Sequence, residues 1–527
     1  MYSILRDITK FKKVTGDIFS NVIKLEDKLN RLLRGIREKI GINNFNYLFA
    51  SGTQPGIMYG LPKVHKINTP MRPIISCIKT ASYNLAKFLI PVVTPFTTNQ
   101  YTIENSSSFV REIMTLDLPT DFCMASFDIE SLFTNVPLEE TTNIILNQYQ
   151  AENFYGIENN TMKKLLLFAT SESIFMFNNQ LYNQIDGISM GSCLGPTYAN
   201  TFMCHHESKW LTDCPLTFKP IYYRRYVDDT FLIFKHPDHI KLFLEYLNSK
   251  HNNIKFTCER EVDGSLPFLD INIKKHGNGF KTNVFRKPTH TGLGLNWYSF
   301  CPDIYKINSI KTLLNRAYDI CSTFELLHNE IETLKTYFLG NNYSQSIFYK
   351  TVKDFLYKKR RDDIPICTVP KMVKYIRLPF YGRSSYELRK KINKILKYSF
   401  PAVNFKIIFT NNYTIGSFFR IKEKLPDSVC SNVVYEFNCP SCSARYLGCT
   451  TRSFNIRVLE HIGKSFRTGQ YLNKMPFSAI REHSHTEDHR FSRDDFKIAA
   501  RFNTTDETLI GEKILINKHK PELNTMH

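Results

Sequence analysis

A pair of adjacent aspartates, Asp228 and Asp229, constrains this chain more than any other feature of its sequence. Two β-rich runs, 221–227 and 230–234, flank the pair, and two such runs around a short polar step predict a β-hairpin. Carboxylates at the tip of a hairpin can bind a divalent cation through hard oxygen ligands. The alternative is an ordinary aspartate-rich turn, because Asp favours turns for reasons unrelated to metals.

Length and charge narrow the class of protein. The 527 residues are enough for about three or four domains of roughly 150 residues each. Lys and Arg outnumber Asp and Glu by 69 to 49, and the formal net charge of +20 favours a polyanionic partner. No apolar stretch approaches the roughly 20 residues of a membrane span, and no signal-peptide pattern follows Met1. The 13 cysteines are too sparse for a disulfide scaffold, which fits a reducing nuclear or cytosolic compartment.

A second apolar run, 122–127, ends in another carboxylate, Asp128. Two strands that deliver Asp128 and Asp228 to one place could bind two Mg²⁺ ions, the arrangement that clamps the attacking and leaving oxygens in phosphoryl transfer. Between them lies the glycine-rich segment 187–196, whose glycines allow close backbone approach, followed by a predicted helix from residue 197.

These segments carry a family resemblance. In chain order, 127–137, 187–196 and 226–229 resemble three successive palm motifs of reverse transcriptases. Flanking segments are similar to the Penelope-like retroelement branch in particular: 60–66, 72–76, 266–270 and 285–289. Together, the motifs and flanking segments cover about residues 50 to 300.

The resemblance implies a role for each aspartate of the palm motifs. Asp128, Asp228 and Asp229 would hold a pair of Mg²⁺ or Mn²⁺ ions while a primer 3′-hydroxyl attacks the α-phosphate of a deoxynucleoside triphosphate. The implied partners are an RNA template and a DNA primer, with no membrane.

The resemblance also implies nucleotide-binding roles. Phe133 would exclude a ribose 2′-hydroxyl, Lys63 and Arg72 would contact the triphosphate or template, and Gly191 would back the nascent base pair. From the residues alone, Phe133 could equally serve core packing. The two cations could be solvated surface groups, and Gly191 could serve a structural turn.

The C-terminal part contains a separate pattern of metal-ligand residues. Cys439 and Cys442 have metal-ligand spacing, and three histidines follow within 482–489. This set predicts a tetrahedral Zn²⁺ site formed with His483 and His489, with His485 as a competitor. The alternatives for the cysteines are a redox pair or two ordinary buried thiols.

Around these cysteines, residues 433–435 and 446–448 resemble the core of GIY-YIG endonucleases, in the variant found in Penelope-like elements. Valines replace the first Gly-Ile, and Leu447 replaces the usual isoleucine. The resemblance implies that Glu512 binds a divalent cation, that Arg457 stabilises developing negative charge and that Asn524 positions the site. Tyr435 or Tyr446 would orient or deprotonate the attacking water, which requires a pKa below the ordinary value of about 10.

The predicted fold class is α+β, a right-hand polymerase followed by a small α/β nuclease domain. The run 358–361 could be a nuclear import signal, a nucleic-acid contact or a solvated helix face. The Lys-Gly-Gly fingers motif of the family is not found, so we expect N-terminally truncated fingers. The predicted domains are fingers at 1–110, palm at 111–284, thumb at 285–340, a connector at 341–428 and the nuclease with its zinc-binding insertion at 429–527.

The expected activity joins both parts. The nuclease would nick target DNA in the nucleus, and the polymerase would extend the exposed 3′ end by copying RNA, as in target-primed reverse transcription of a mobile element. The alternatives are a catalytically lapsed nucleic-acid-binding remnant of such an element and, less favoured, a host-adopted polymerase that maintains telomeres.

Overall fold

A computed structural model describes residues 1–64, 68–172, 174–360, 373–411, 414–419, 422–472 and 478–524 of the protein. Helices alternate irregularly with strands, and most paired strands are antiparallel. The predicted α+β class is therefore confirmed. None of the helices in these ranges is long and apolar enough to cross a membrane.

The first sheet has five strands in the order β1-β6-β5-β2-β3. Strands β5 and β6 join it from within the predicted palm, because β2 pairs in parallel with β5 and the buried Phe175 packs against Met58 and Ile75. The predicted boundary between fingers and palm at residue 110 therefore does not coincide with the boundary between this sheet and the next one, because β5 and β6 follow residue 110 in the chain. The elements to this point are α1 (Tyr2–Leu5), β1 (Phe11–Val14), α2 (Ile18–Arg34), α3 (Arg37–Leu48), β2 (Gly56–Pro62), β3 (Met71–Ser76), α4 (Ala81–Val93), α5 (Ser106–Ile113), β4 (Cys123–Ile129), α6 (Leu132–Asn135), α7 (Leu138–Gln148), α8 (Asn159–Ser171), β5 (Ile174–Phe177) and β6 (Gln180–Gln184).

A four-stranded antiparallel sheet, β7-β8-β4-β9, lies within the predicted palm. Alternate residues of β4 face opposite sides, so Phe127 packs in the core with α9 and α10, while Met124 packs in the core with α5. The sheet is therefore covered on both faces. Its further elements are α9 (Gly195–Thr212), β7 (Tyr222–Tyr226), β8 (Asp229–Phe234), α10 (Pro237–Lys250) and β9 (Phe256–Arg260).

A small sheet and three helices follow the palm. The sheet is β10 (Ser265–Phe268), β11 (Ile271–His276) and β12 (Gly279–Val284), and the helices are α11 (Asp303–Ile320), α12 (Phe324–Gly340) and α13 (Gln345–Lys359). Buried Phe348 and Phe355 of α13 share a core with Leu314 and Phe338. The helical unit thus continues beyond residue 340, where the predicted thumb ends.

Within the predicted connector, β13 (Val373–Pro379), α14 (Arg383–Ser399) and β14 (Asn404–Thr410) form a separate unit. The two strands pair in parallel, and α14 packs on one face of the pair. The basic run 358–361 closes α13, and its last residue, Arg361, lies outside the described residues.

The C-terminal part is a three-stranded antiparallel sheet in the order β16-β15-β17 with three helices. Its core contains Tyr435, Phe437, Phe454 and Phe496. The elements are β15 (Val433–Asn438), β16 (Arg445–Thr450), α15 (Phe454–Ile462), α16 (Ala479–Thr486), β17 (Phe496–Arg501) and α17 (Thr505–His519).

The C-terminal part also shares a buried cluster with α2 in the first part of the chain. Val22 and Ile23 of α2 pack with Val429 and Ile456. A two-pronged ion pair lies nearby, in which the Arg467 guanidinium donates to both oxygens of Asp27, at 2.7 and 3.1 Å. These contacts hold the C-terminal part against α2.

Candidate active sites

Strand register brings the three palm aspartates together. In the antiparallel pair of β4 and β8, Asp128 lies directly opposite Asp229. Tyr226 pairs with Asp229 across the β7–β8 hairpin, so Val227 and Asp228 form its two-residue turn. The structure therefore contains the predicted hairpin, with half-buried carboxylates on both β4 and the hairpin.

The electrostatics of this cluster favour a cation. Burial, together with repulsion from Asp228 and Asp128, raises the pKa of the Asp229 carboxyl to about 6. Glu259 raises the pKa further, and the exposed ammonium of Lys287 lowers it. Half-buried carboxylates that repel one another are neutralised by a divalent ion, for which they supply the oxygen ligands.

The turn that carries Asp228 has an unusual backbone. Val227 has a φ of +56°, in the left-handed region that β-branched residues rarely adopt. Its carbonyl oxygen accepts a hydrogen bond of 2.9 Å from Nη1 of Arg225. A conformation of this kind costs of order 1–3 kcal/mol and persists only when its surroundings hold it. Arg225 is thus a support for the turn.

Arg225 is itself held by a buried network. Its side chain is fully buried, and it donates from Nε and Nη2 to the two carboxylate oxygens of Glu207 on α9, at 2.7 and 3.0 Å. Asn99 also donates to Glu207, at 2.7 Å, and Asn200 accepts from Arg225 at 3.0 Å. This pair was not predicted from the sequence, although strand alternation places Arg225 on the same inward face as Tyr223.

The glycine-rich segment contacts the backbone of two other segments. A Cβ atom on Gly187 would lie 2.3 Å from the carbonyl oxygen of Thr134, and one on Gly191 would lie 2.2 Å from that of Ile75. Both glycines also have positive φ, +71° and +123°. The turn geometry by itself accounts for glycine at position 191, because only glycine fits this turn.

The remaining nucleotide-binding candidates lie on separate elements. The half-buried ring of Phe133 packs beside Gly195 at the start of α9, in contact with two core clusters. Lys63 and Arg72 belong to the β2–β3 hairpin, on a different sheet from the aspartates. Arg72 is exposed and lies opposite Leu61. In the quoted segment 60–66, the last two residues lie outside the described residues.

A cavity of about 430 Å³ opens between the small sheet and the helical unit. Its lining includes Arg286, Lys287, His290 and Arg316. Arg286 pairs with Glu330, and Arg316 pairs with Asp270 at 2.7 Å. Because Lys287 also acts on the pKa of Asp229, this basic cavity lies next to the aspartate cluster.

In the C-terminal part, Tyr435 is the centre of a second polar cluster. Its hydroxyl lies 2.7 Å from Nε2 of His461 and accepts a hydrogen bond of 3.2 Å from Nε of Arg457. Nδ1 of His461 lies 2.7 Å from the hydroxyl of Ser478. These contacts are satisfied when Nδ1 carries the proton and Nε2 accepts from the tyrosine. Burial, with help from Arg457 and Arg481, lowers the pKa of His461 to about 3.

Burial and Arg457 act in opposite directions on the two tyrosines. Burial raises the pKa of both Tyr435 and Tyr446, and this effect outweighs the lowering by Arg457. The expectation was that a metal ion or an arginine lowers the pKa, and Arg457 alone does not bring either pKa below its ordinary value. Tyr446 is half-buried, whereas Tyr435 is fully buried, so of the two only Tyr446 has solvent-exposed surface.

Glu512 on α17 lies beside the same cluster. Burial raises the pKa of the Cys449 thiol to about 12, with a further contribution from the Glu512 carboxylate, which also raises the pKa of both tyrosines. Asn524 instead pairs with the edge of β16, accepting from the Leu447 N–H at 2.8 Å and donating to its carbonyl at 2.7 Å. The structure thus brings together Tyr435, Tyr446, Arg457 and Glu512. Asn524 lies at the edge of β16.

The four predicted zinc ligands lie close together. One ligand atom from each of Cys439, Cys442, His483 and His489 falls within 4.8 Å of the others. The Cys439–His489, Cys442–His483 and His483–His489 contacts are 3.5, 3.4 and 3.3 Å. A tetrahedral Zn²⁺ with ordinary bond lengths has ligand-to-ligand edges of roughly 3.3–3.8 Å, so this set fits the ion. His485 is exposed and outside the group.

Comparisons with known families identify two segments. Residues 62–261 match the family described as reverse transcriptase (RNA-dependent DNA polymerase). Residues 293–353, which span α11, α12 and much of α13, match the animal helix-turn-helix domain. The chain therefore contains a reverse transcriptase domain, and the aspartate cluster lies inside it. A comparison with curated proteins found no match.

Several solved polymerases are similar in structure. Apo telomerase from Candida tropicalis, truncated from its C-terminal domain, shares 11% identity over 54% of this chain and 60% of its own, with a TM-score of 0.37. Telomerase from Candida albicans with a telomeric RNA fragment shares 11% identity over 66% of this chain and 64% of its own, with a TM-score of 0.40. The Sicinivirus 3Dpol RNA-dependent RNA polymerase shares 11% identity over 60% of this chain and 71% of its own, with a TM-score of 0.37. This chain spans less than two thirds of the telomerase chains.

Proposed function

We propose that this chain is the protein of a Penelope-like mobile element, a reverse transcriptase coupled to a GIY-YIG endonuclease. The nuclease would nick target DNA in the nucleus, and the polymerase would extend the exposed 3′-hydroxyl by copying RNA. The observation that carries the polymerase part is the register of Asp128 against Asp229, with Asp228 at the adjacent turn, inside the segment that matches reverse transcriptases.

The polymerase chemistry follows from this arrangement. Asp128, Asp228 and Asp229 would hold two divalent cations, which supply Lewis-acid stabilisation of the phosphate charge when bound. The aspartates themselves fix where the primer hydroxyl and the triphosphate meet, and Lys287 places a positive charge beside them. The basic cavity next to the cluster is suited to a nucleic-acid backbone, because fixed positive charges bind phosphates.

Primer extension tests this proposal directly. The purified full chain with Mg²⁺ should extend a DNA primer annealed to an RNA template with deoxynucleoside triphosphates. A chain that binds the primer–template but adds no nucleotide would contradict the polymerase assignment and favour the lapsed remnant.

The nuclease part of the proposal is supported by the second polar cluster. Arg457 would stabilise negative charge at the scissile phosphate, and Glu512 would hold a divalent cation there. Of the two tyrosines, Tyr446 is the better candidate for orienting water, because it reaches solvent. The buried pair of Tyr435 and His461 would keep the Arg457 side chain in position.

We predict that Glu512→Gln slows nicking of supercoiled plasmid by about a hundredfold or more, which corresponds to roughly 3 kcal/mol of lost charge stabilisation. The matched control is Glu507→Gln on the same helix, where the exposed side chain accepts a hydrogen bond from the Asn503 N–H and glutamine can do the same. Nicking at the wild-type rate by Glu512→Gln would remove the carboxylate from the nuclease site.

We predict one equivalent of Zn²⁺ in the purified full chain, measured by elemental analysis. Cys439→Ser with Cys442→Ser should lose it, because zinc prefers thiolate ligands at this site. His485→Ala should retain it and serves as the control. The full chain is used because the C-terminal part shares buried side chains with α2. Zinc lost with His485 rather than His483 would overturn this ligand set.

A further inference from the structure

The β13-α14-β14 unit has an uneven distribution of charge. Residues 373–411 contain nine Lys and Arg but only one acidic residue, Glu387. Four of the lysines are exposed on α14, and we call them the lysine face: Lys390, Lys391, Lys394 and Lys397.

α14 is fixed to the strands by packing. The Tyr386 ring contacts the buried Phe409 ring of β14 at 5.7 Å, and the guanidinium of Arg389 lies 5.5 and 5.8 Å from these two rings. The unit is in turn attached to the helical unit, because the Tyr305 hydroxyl on α11 donates to the Phe409 carbonyl at 2.6 Å. The lysine face is therefore held in a defined orientation.

The lysine face is exposed and electrostatically uncompensated. Within the part of the chain that the structure describes, none of its four lysines has an ion-pair partner. Lys390, Lys394 and Lys397 follow one another at spacings of four and three residues, where like charges destabilise a helix. A bound polyanion would remove this repulsion. Tyr398, 90% exposed beside the lysines, offers a ring on which an unpaired base can stack.

We propose that the lysine face of α14 binds single-stranded RNA, through phosphate contacts to its lysines and base stacking on Tyr398. Lysines are point charges that suit flexible phosphate contacts rather than base readout, so the binding is independent of sequence. This surface lies outside the reverse transcriptase match and would retain template RNA beyond the catalytic cluster. The choice of RNA over DNA rests on the proposed function.

Fluorescence anisotropy with labelled single-stranded RNA of mixed sequence tests the proposal on the full chain. Lys390→Gln, Lys394→Gln and Lys397→Gln together should weaken binding about tenfold at physiological salt and reduce the salt slope by about two, since each phosphate contact to a single strand contributes roughly 0.7. The matched control replaces three exposed lysines of the palm, and its slope should stay closer to wild type: Lys235→Gln, Lys241→Gln and Lys250→Gln.

The other outcomes overturn the proposal or separate it from the polymerase assignment. Wild-type affinity and slope in the α14 variant would overturn it, and equally tight, lysine-dependent binding of DNA of the same sequence would overturn the choice of RNA as the ligand. Lysine-dependent binding to phosphatidylserine vesicles with unchanged RNA binding would assign the face to a membrane instead. If primer extension fails while RNA binding still depends on these lysines, the polymerase proposal falls and the RNA surface stands.

Discussion

Replacing Asp228 with asparagine is expected to reduce primer extension on an RNA template by roughly a thousandfold, because losing one metal-binding carboxylate removes about 4 kcal/mol of transition-state stabilisation. The chain should still fold and bind primer–template. Initial rates with saturating nucleotide and Mg²⁺ measure the effect. Asp213→Asn, an exposed aspartate at the end of α9, is the control and should extend at the wild-type rate.

The same variant has a second readout that does not depend on catalysis. Burial and repulsion within the aspartate cluster raise the pKa of Asp229, so removing the Asp228 charge relieves repulsion when Mg²⁺ is absent. Asp228→Asn should therefore melt at the same or a higher temperature than wild type in chelated buffer, and gain less from added Mg²⁺. A lower melting temperature in chelated buffer would show that Asp228 has a structural role instead.

Arg225→Met is expected to lower the free energy of unfolding by about 3–5 kcal/mol, because it leaves the Glu207 carboxylate buried without its partner. It should also slow primer extension, since the Val227 carbonyl loses the donor that holds the turn beside Asp228. Thermal melting and extension rates measure the two effects. The neighbouring Arg224→Met is the control: Arg224 pairs with Glu112 in a partly exposed position, and its loss should cost less than about 1 kcal/mol.

A double variant separates stability from positioning. Arg225→Met with Glu207→Met removes both buried charges and should regain most of the lost stability, because apolar replacement of a buried ion pair is often neutral. Extension should stay slow, since methionine cannot donate to Val227. Recovery of extension together with stability would show that Arg225 acts only through folding.

The sequence was most informative where function depends on local order along the chain. The Asp228–Asp229 hairpin could be predicted because both strands and the turn are consecutive. The cluster of Cys439, Cys442, His483 and His489 could be predicted because metal-ligand residue types are restricted. The pairing of β2 with β5 could not be predicted, since it joins residues more than a hundred positions apart through parallel backbone contacts that leave no composition signal. Strand alternation puts Arg225 on the same face as the buried Tyr223, but only the fold identifies Glu207 as its partner.

The pKa values of Tyr435 and Tyr446 required the structure for a different reason. A tyrosine near an arginine looks activated in sequence, yet the degree of burial decides the sign of the shift. Gly448, opposite Tyr435, shows how tight this packing is: a Cβ atom there would lie 2.6 Å from the Tyr435 hydroxyl.

The buried contact between α2 and the C-terminal part joins distant parts of the chain. Val22 and Ile23 cannot leave Val429 and Ile456 without exposing apolar surface to water, so in the proposed function the cutting centre and the copying centre would keep a constant separation. Under the proposed function, a nicked DNA end would pass between them as an intramolecular transfer. Its efficiency would then be independent of protein concentration, and diluting the protein would not uncouple the nick from its extension.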